Sequence, residues 1–291
     1  MEIIKQQFLS GERALFQSEN IRVENSIFAD GESPLKESQG IEIEQSIFKW
    51  KYPLWYCKDI IVSHSTLLET ARSGIWYTHN ITIEDSIIEA PKTLRRSSQI
   101  SLKNINMPMA QESLWNCQDI YLDHVTAHGD YFGMNSQDIV VSHLNLTGNY
   151  CFDGAKNIEV RNSKLISKDA FWNCENVIVY DSVIIGEYLG WNSQNVTFIN
   201  CVIESLQGLC YIANLKMENC QLINTTLAFE FSSVDATINS HIDSITNPLS
   251  GTITALSIGE IIMDEEKINP DDTKIILSST IKNEEITKAC C

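Results

Sequence analysis

The strongest constraint on this chain is that it repeats itself. Residues 170–185 read "AFWNCENVIVYDSVII", and nineteen positions further on residues 189–204 read "LGWNSQNVTFINCVIE". Aligned on one apolar position, the chain yields a column: Ile21, Ile41, Ile60, Ile81, Ile100, Ile120, Ile139, Ile158, Val177, Val196, Leu215 and Ala236. Successive members stand 19 to 21 residues apart. A period of this length marks a solenoid, in which each repeat buries its apolar face only against its neighbours.

The interior of each repeat says which solenoid. Asn or Asp precedes the column in most repeats, as at Asn20, Asp59, Asn80, Asn176 and Asn195. A second apolar residue follows two positions later, as at Val23, Ile43, Val62, Ile83 and Val179. That is strand alternation in β-branched residues. Four positions after the column come Asn25, Gln45, His64, Asp85, Asn104, His124, His143, Asn162, Asp181, Asn200 and Asn219. Such side chains tolerate left-handed backbone and bond the local chain, so this position is a bend. A second short apolar strand follows, such as "SVII" at 182–185. The Leu spacing and helical return of a leucine-rich repeat are missing, as is a six-residue sub-period. The pattern predicts an all-β, single-stranded, right-handed parallel β-helix of about 12 rungs of 19–21 residues. Residues 1–16 are expected to cap it, 17–258 to form the helix, and 259–291 to be a C-terminal cap or flexible acidic tail.

Charge and cysteines bound the function. The formal net charge is −17 over 291 residues. Such a surface repels phosphate backbones and anionic lipid, which argues against nucleic-acid and membrane partners. No stretch approaches the roughly 20 apolar residues of a membrane span. The start, "MEIIKQQFLSGERALF", lacks the basic head and apolar core of a signal peptide. Nine cysteines without a CxxC fit free thiols in a reducing compartment, so a cytoplasmic location is expected. Cys290-Cys291 is read as part of a disordered end.

Five residues before the apolar column runs another: Trp55, Trp76, Arg95, Trp115, Met134, Asp153, Trp172, Trp191, Cys210 and Phe231. It holds five of the six tryptophans. One residue earlier stand Leu54, Ile75, Leu94, Leu114, Phe152 and Phe171, a better core set. Arg95 and Asp153 are expensive to bury unpaired, so the Trp column is expected to face outward, the other reading being tryptophans that fill a wide core with the two charges at kinks. Contiguous exposed rings mark a binding surface, and rings beside amides and carboxylates suit sugars. The expected binding residues are Trp115, Trp172, Trp191, Tyr131, Tyr150, Tyr188, Glu187 and Arg95. The next column (Asn116, Asn135, Asn173, Asn192) offers such polar groups, but strict alternation would turn it inward, and it is equally open to reading as an internal amide ladder. Acids gather mid-chain, and Asp153 with Asp169, with Asp130 as a third carboxylate, are the candidate acid–base pair of a hydrolase. His64, His124 and His143 are read as bend residues. No metal site or cofactor motif is read.

The phrases "WNCQDIYLDHVTAHGDYFGMNSQDIVV", "NYCFDGAKNIEVRNSKLISKDAFWNC" and "YLGWNSQNVTFINCVIESLQGLCY" resemble a bacterial family of uncharacterised single-domain right-handed parallel β-helix proteins in the pectin-lyase-like superfamily. The resemblance runs from "GERALF" at 11–16 to "GEIIMD" at 259–264. It implies the fold and carries no catalytic residues with it. The expectation is a pectin-lyase-like protein that binds or hydrolyses an oligosaccharide along an aromatic-lined outer sheet. Lyase chemistry is disfavoured, because no DxD cluster offers calcium ligands. A non-catalytic binding β-helix and a purely structural rod stay open beside it, and oligomeric state is not legible.

Overall fold

The computed structural model describes residues 1–278, and Cys290 and Cys291 lie outside the described residues. The chain forms two compact units, Met1–Ala155 and a second beginning at Lys156. Each is a parallel β-solenoid. In the first unit one file of paired strand positions runs Glu2, Ile21, Ile41, Ile60, Ile81, Ile100, Ile120, Ile139. In the second it runs Ile158, Val177, Val196, Leu215, Val234, Gly251, Thr273. All these pairings are parallel.

The two units together hold about 15 turns, where the sequence column gives 12. Residues 2–5 and 8–9, inside the segment expected as a cap, pair as a further turn on residues 21–24 and 27–28. In the second unit, strands Ser250–Ile262 and Thr273–Leu277 continue the stacking. The last sequence-read member, Ala236, also needs correction: Leu215 pairs with Val234, and Ala236 pairs with Met217. The register slips by one residue between Met217 and Cys220, which is where the period stops being legible. Among the described residues no helix is long and apolar enough to cross a membrane.

Each turn closes through left-handed corners. In the turn from Asn80 to Arg96, positive φ occurs at Asn80 (57°), Asp85 (48°), Lys92 (56°) and Arg96 (48°). Asn and Asp dominate two of these corners because their short polar side chains adopt this conformation most cheaply. Side chains at the same corner bond from turn to turn. Asn214 Nδ2 donates to Asn195 Oδ1 (2.8 Å), Asn195 to Asn176 (2.9 Å), and Asn176 to Asn157 (2.9 Å). At the bend, Asn219 donates to Asn200 (2.7 Å) and Asn200 to Asp181 (3.0 Å).

The core is a set of vertical files. Ile41, Ile43, Ile60, Val62, Ile81 and Ile83 are at most 1% exposed. Each such side chain contributes about 1.5–3 kcal/mol on burial. Hydroxyls line the inside of the bends. Ser26 N donates to Ser46 Oγ (3.1 Å), Ser46 N to Ser65 Oγ (3.0 Å), and Ser65 N to Ser86 Oγ (3.0 Å). Each hydroxyl in turn donates to a carbonyl two residues back, as Ser65 Oγ does to Ser63 O at 2.7 Å. A bend that turns its N–H inward needs a buried acceptor, and a Ser Oγ fits without filling the core. Cysteines occupy equivalent positions: Cys201 Sγ donates to Val179 O and Cys220 Sγ to Phe198 O. All seven described cysteines are buried and free.

Candidate binding site

The ring file faces outward. Leu54, Ile75, Leu94 and Leu114 are at most 1% exposed, while the next residue of each turn (Trp55, Trp76, Arg95, Trp115) is half-buried with its side chain laid on the surface. Gly133 shows how tight the inner file is. A Cβ there would stand 2.7 Å from Phe152 Cδ1, so the ring of the next turn fills the space its side chain lacks.

In the first unit these residues make a continuous π-stack. Trp55 and Trp76 lie with ring centroids 5.1 Å apart and planes 9° apart. The Arg95 guanidinium carbon is 5.2 Å from the Trp76 centroid and 4.2 Å from that of Trp115. The planar cation is thus a rung between two indoles, a geometry that Arg but not Lys can supply. Glu112 pairs with Arg95 and stands 3.0 Å from Lys92 Nζ. Partial burial would raise the Glu112 carboxyl, but Lys92 and Arg95 outweigh it and hold the group below its ordinary range. The indole N–H groups are already used: Trp55 donates to Ser73 O (2.6 Å), Trp76 to Lys92 O (3.0 Å), and Trp115 to Tyr131 O (2.6 Å). Tyr131 packs edge-on to Trp115 (6.3 Å) and stacks on Tyr150 (5.0 Å, 6°).

The second unit has its own cluster. Trp172 and Trp191 stack at 5.7 Å and 10°. Tyr188 stands edge-on to both, at 6.5 and 5.6 Å. Tyr211 continues from Trp191 at 4.2 Å, and Phe231 from Tyr211 at 5.3 Å. Glu187 pairs with Lys168 at 3.3 Å. The structure thus groups the expected aromatic residues into two sets: Trp115, Tyr131 and Tyr150, with Arg95, in one unit, and Trp172, Tyr188 and Trp191 in the other.

The Asn column is not internal. Asn116, Asn135, Asn173 and Asn192 are exposed, and Asn192 Nδ2 donates to Asn173 Oδ1 at 2.8 Å outside the coil. Their φ values of 52–60° are left-handed, and a left-handed residue breaks strand alternation. Two successive files therefore face outward, one of rings and one of amides.

Beside this amide file in the second unit lies an open groove of about 440 Å³. Asn173, Asn192 and Tyr211 form one wall, and Lys156, Glu175, Gln194 and Ala213 the other, with Phe231 at one end. Glu175 pairs with Lys156 at 2.9 Å, and that bond holds its carboxyl below the usual range. Desolvation and nearby Glu230 raise the Tyr211 hydroxyl above its ordinary value. Sequence reasoning missed the Lys156–Glu175–Gln194 wall. Its signal was a polar residue every nineteen positions, just after the buried Ser/Cys file.

The three candidate acids sit in unlike settings. Asp169 is 1% exposed, Asp153 half-buried and Asp130 exposed. Asp130 Oδ1 accepts the Asn149 backbone N–H at 2.7 Å, and its carbonyl accepts that of Glu112. Asp130 stands at the corner of Tyr131, whereas Asp153 belongs to the ring file, so these two occupy different corners of adjacent turns. None of the three lines the groove.

His124 and His143 occupy left-handed bend positions (both φ 53°), as expected. They also stack on each other at 4.3 Å, beside Asp123.

The structure is a parallel β-solenoid that carries two outward files, one of rings and one of amides. The chain belongs to the DUF3737 family, described as "Protein of unknown function", whose model matches residues 2–276. No curated protein compared with it is significantly similar in sequence. Among solved structures it is similar to the surface adhesin PfbA of Streptococcus pneumoniae, at 11% identity over 89% of this chain and 76% of that one, with a TM-score of 0.32. It is also similar to the A-module of the mannuronan C-5 epimerase AlgE4 of Azotobacter vinelandii, at 10% identity over 94% and 88%, TM-score 0.34. A third is the periplasmic alginate epimerase AlgG, at 10% identity over 94% and 77%, TM-score 0.31. Similarities this distant transfer no activity or ligand to this chain.

Proposed function

We propose that this protein binds a short, uncharged oligosaccharide along the Trp172–Trp191 face of the second unit, with the sugar hydroxyls directed into the adjoining groove. The observation that carries this reading is the groove itself: amides of Asn173, Asn192 and Gln194 beside a stack of Trp172, Trp191 and Tyr211. Rings offer flat apolar faces, and amides offer both donors and acceptors to hydroxyls. The net charge of −17 disfavours uronate polymers. Seven buried free thiols support the reading of a cytoplasmic protein, which meets short sugars rather than extracellular polymers.

We read the site as binding rather than cleaving. A glycoside hydrolase places two carboxyl groups about the scissile bond and raises one of them. Among the groove-lining residues Glu175 is the one acid, and its carboxyl is lowered. The test is titration with a panel of neutral and uronate oligosaccharides, followed by tryptophan fluorescence and calorimetry. A neutral sugar should bind, and Trp191→Ala and Asn192→Ala should weaken it. No binding at millimolar concentration, or a preference for uronates, would overturn the reading, and release of reducing ends would replace it with hydrolysis.

A further inference from the structure

Away from the ring file, the bend file of the first unit breaks its own rule. In neighbouring turns the bend residues are Asp85 and Asn104, joined by an amide–carboxylate bond of 2.8 Å. In the next two turns they are His124 and His143, whose rings stack at 4.3 Å and 16°. The residue before the bend varies freely along the same face, with Glu84, Lys103, Asp123 and Ser142 in successive turns. Asp123 therefore meets both rings. Its Oδ1 lies 2.8 Å from His124 Nδ1 and 3.4 Å from His143 Nδ1. One donor atom from each of the three residues lies within 4.8 Å of the others.

We infer that Asp123, His124 and His143 form a surface binding site for a divalent transition-metal ion of the zinc type. Two imidazoles and one carboxylate are a borderline donor set, which selects zinc, cobalt or nickel over calcium or magnesium. Bonds of about 2.0–2.1 Å to a tetrahedral ion place donor atoms about 3.3 Å apart. The Asp123–His143 separation is already of that size, and that to His124 is shorter. Both rings are exposed and able to pivot, so closing the set needs no backbone movement. Ser142 Oγ, 2.8 Å from His143 Nδ1, is a rotatable hydroxyl beside the same point. Three protein ligands leave the remaining coordination positions to water or to a ligand brought by a partner. The backbone contributes the preorganisation: the two left-handed bends are stacked strand on strand, in a register fixed by the buried pairs Ile120–Ile139 and Leu122–Val141. This inference is independent of the saccharide reading.

The test uses the full chain with zinc chloride in calorimetry and cobalt chloride in visible absorbance. His124→Asn and His143→Asn are suitable variants, because Asn104 holds the same left-handed bend one turn before His124 and folding should survive. Wild type should bind one ion per chain. Each variant, and Asp123→Asn, should weaken it by at least about tenfold and abolish the cobalt band. His64→Asn, in the same file but outside the cluster, should leave binding unchanged. Wild-type stoichiometry and affinity in the His124→Asn/His143→Asn double variant would overturn the inference by placing the ion elsewhere. Absence of any binding at millimolar zinc would overturn it as well.

Discussion

Trp172 and Trp191 lie one turn apart with their rings 5.7 Å apart and nearly parallel, while Tyr188 stands edge-on to both. The three rings brace one another, so the face proposed to bind the sugar is ordered in the free protein. Trp191→Ala should therefore cost binding through lost contact and lost order together. We expect about 2 kcal/mol, roughly thirtyfold in affinity, read by calorimetry with the best neutral oligosaccharide. Trp172→Phe, which keeps a flat ring, should cost less.

The external amide ladder predicts a substitution order. Asn195 sits at φ 56° and bonds both Asn176 and Asn214. Asn195→Ala loses both bonds and puts an ordinary residue in a left-handed corner, at a cost of about 1–2 kcal/mol. Asn195→Gly loses the bonds but relieves the corner, and should cost less. Equilibrium urea unfolding of the two variants checks the order; equal losses would show that the bonds, not the backbone, carry the effect.

Thiol chemistry should be silent in the native state. Burial pushes Cys57 up to about 11 and Cys117 and Cys210 up to about 12. The thiolate is the reactive form, so at pH 8 Cys57, Cys117 and Cys210 should not be alkylated, and burial should shield Cys151, Cys174, Cys201 and Cys220 from the reagent. All seven should label once the chain is unfolded, read by peptide mass.

Acid should loosen the coil through a few carboxylates. Glu24 is lowered from 4.5 by its bond to Lys5, Glu175 from 4.5 by Lys156, and Asp59 from 3.8 by the Asn80 amide. A folded value below the unfolded one means stability fully present above about pH 4.5. It is lost as pH falls through the lowered values. Melting temperature should be level from pH 7 to about 5 and decline below 4.5, and Lys156→Met should flatten part of that decline.

The period, the fold and the direction of the ring file were legible in the sequence, because a coil writes its core as identities such as Ile60, Ile81 and Ile100 in fixed columns. The outer turns were not. Glu2 and Gly251 hold the same structural position as those isoleucines, but the turns they open or follow bury less and carry no consensus. The orientation of Asn173 and Asn192 was not legible for a different reason: a left-handed residue cancels the alternation from which orientation is inferred. The groove and the Asp123–His124–His143 cluster depend on side chains of adjacent turns, and a one-turn consensus does not contain them.

One feature of the spacing sets what this chain can become. From Trp55 to Asn200 the apolar file stands five residues after the ring file and the bend four residues after that, so the extra residues of longer turns fall between the second strand and the next ring. The turn from Ile60 to Ile81 shows it, placing a short 3₁₀ segment at Glu69–Ala71. That arc is where evolution, or an engineer, can splice in a new loop while the aromatic face stays in line. A whole nineteen-residue turn could likewise be added or removed, lengthening or shortening the aromatic face by one step.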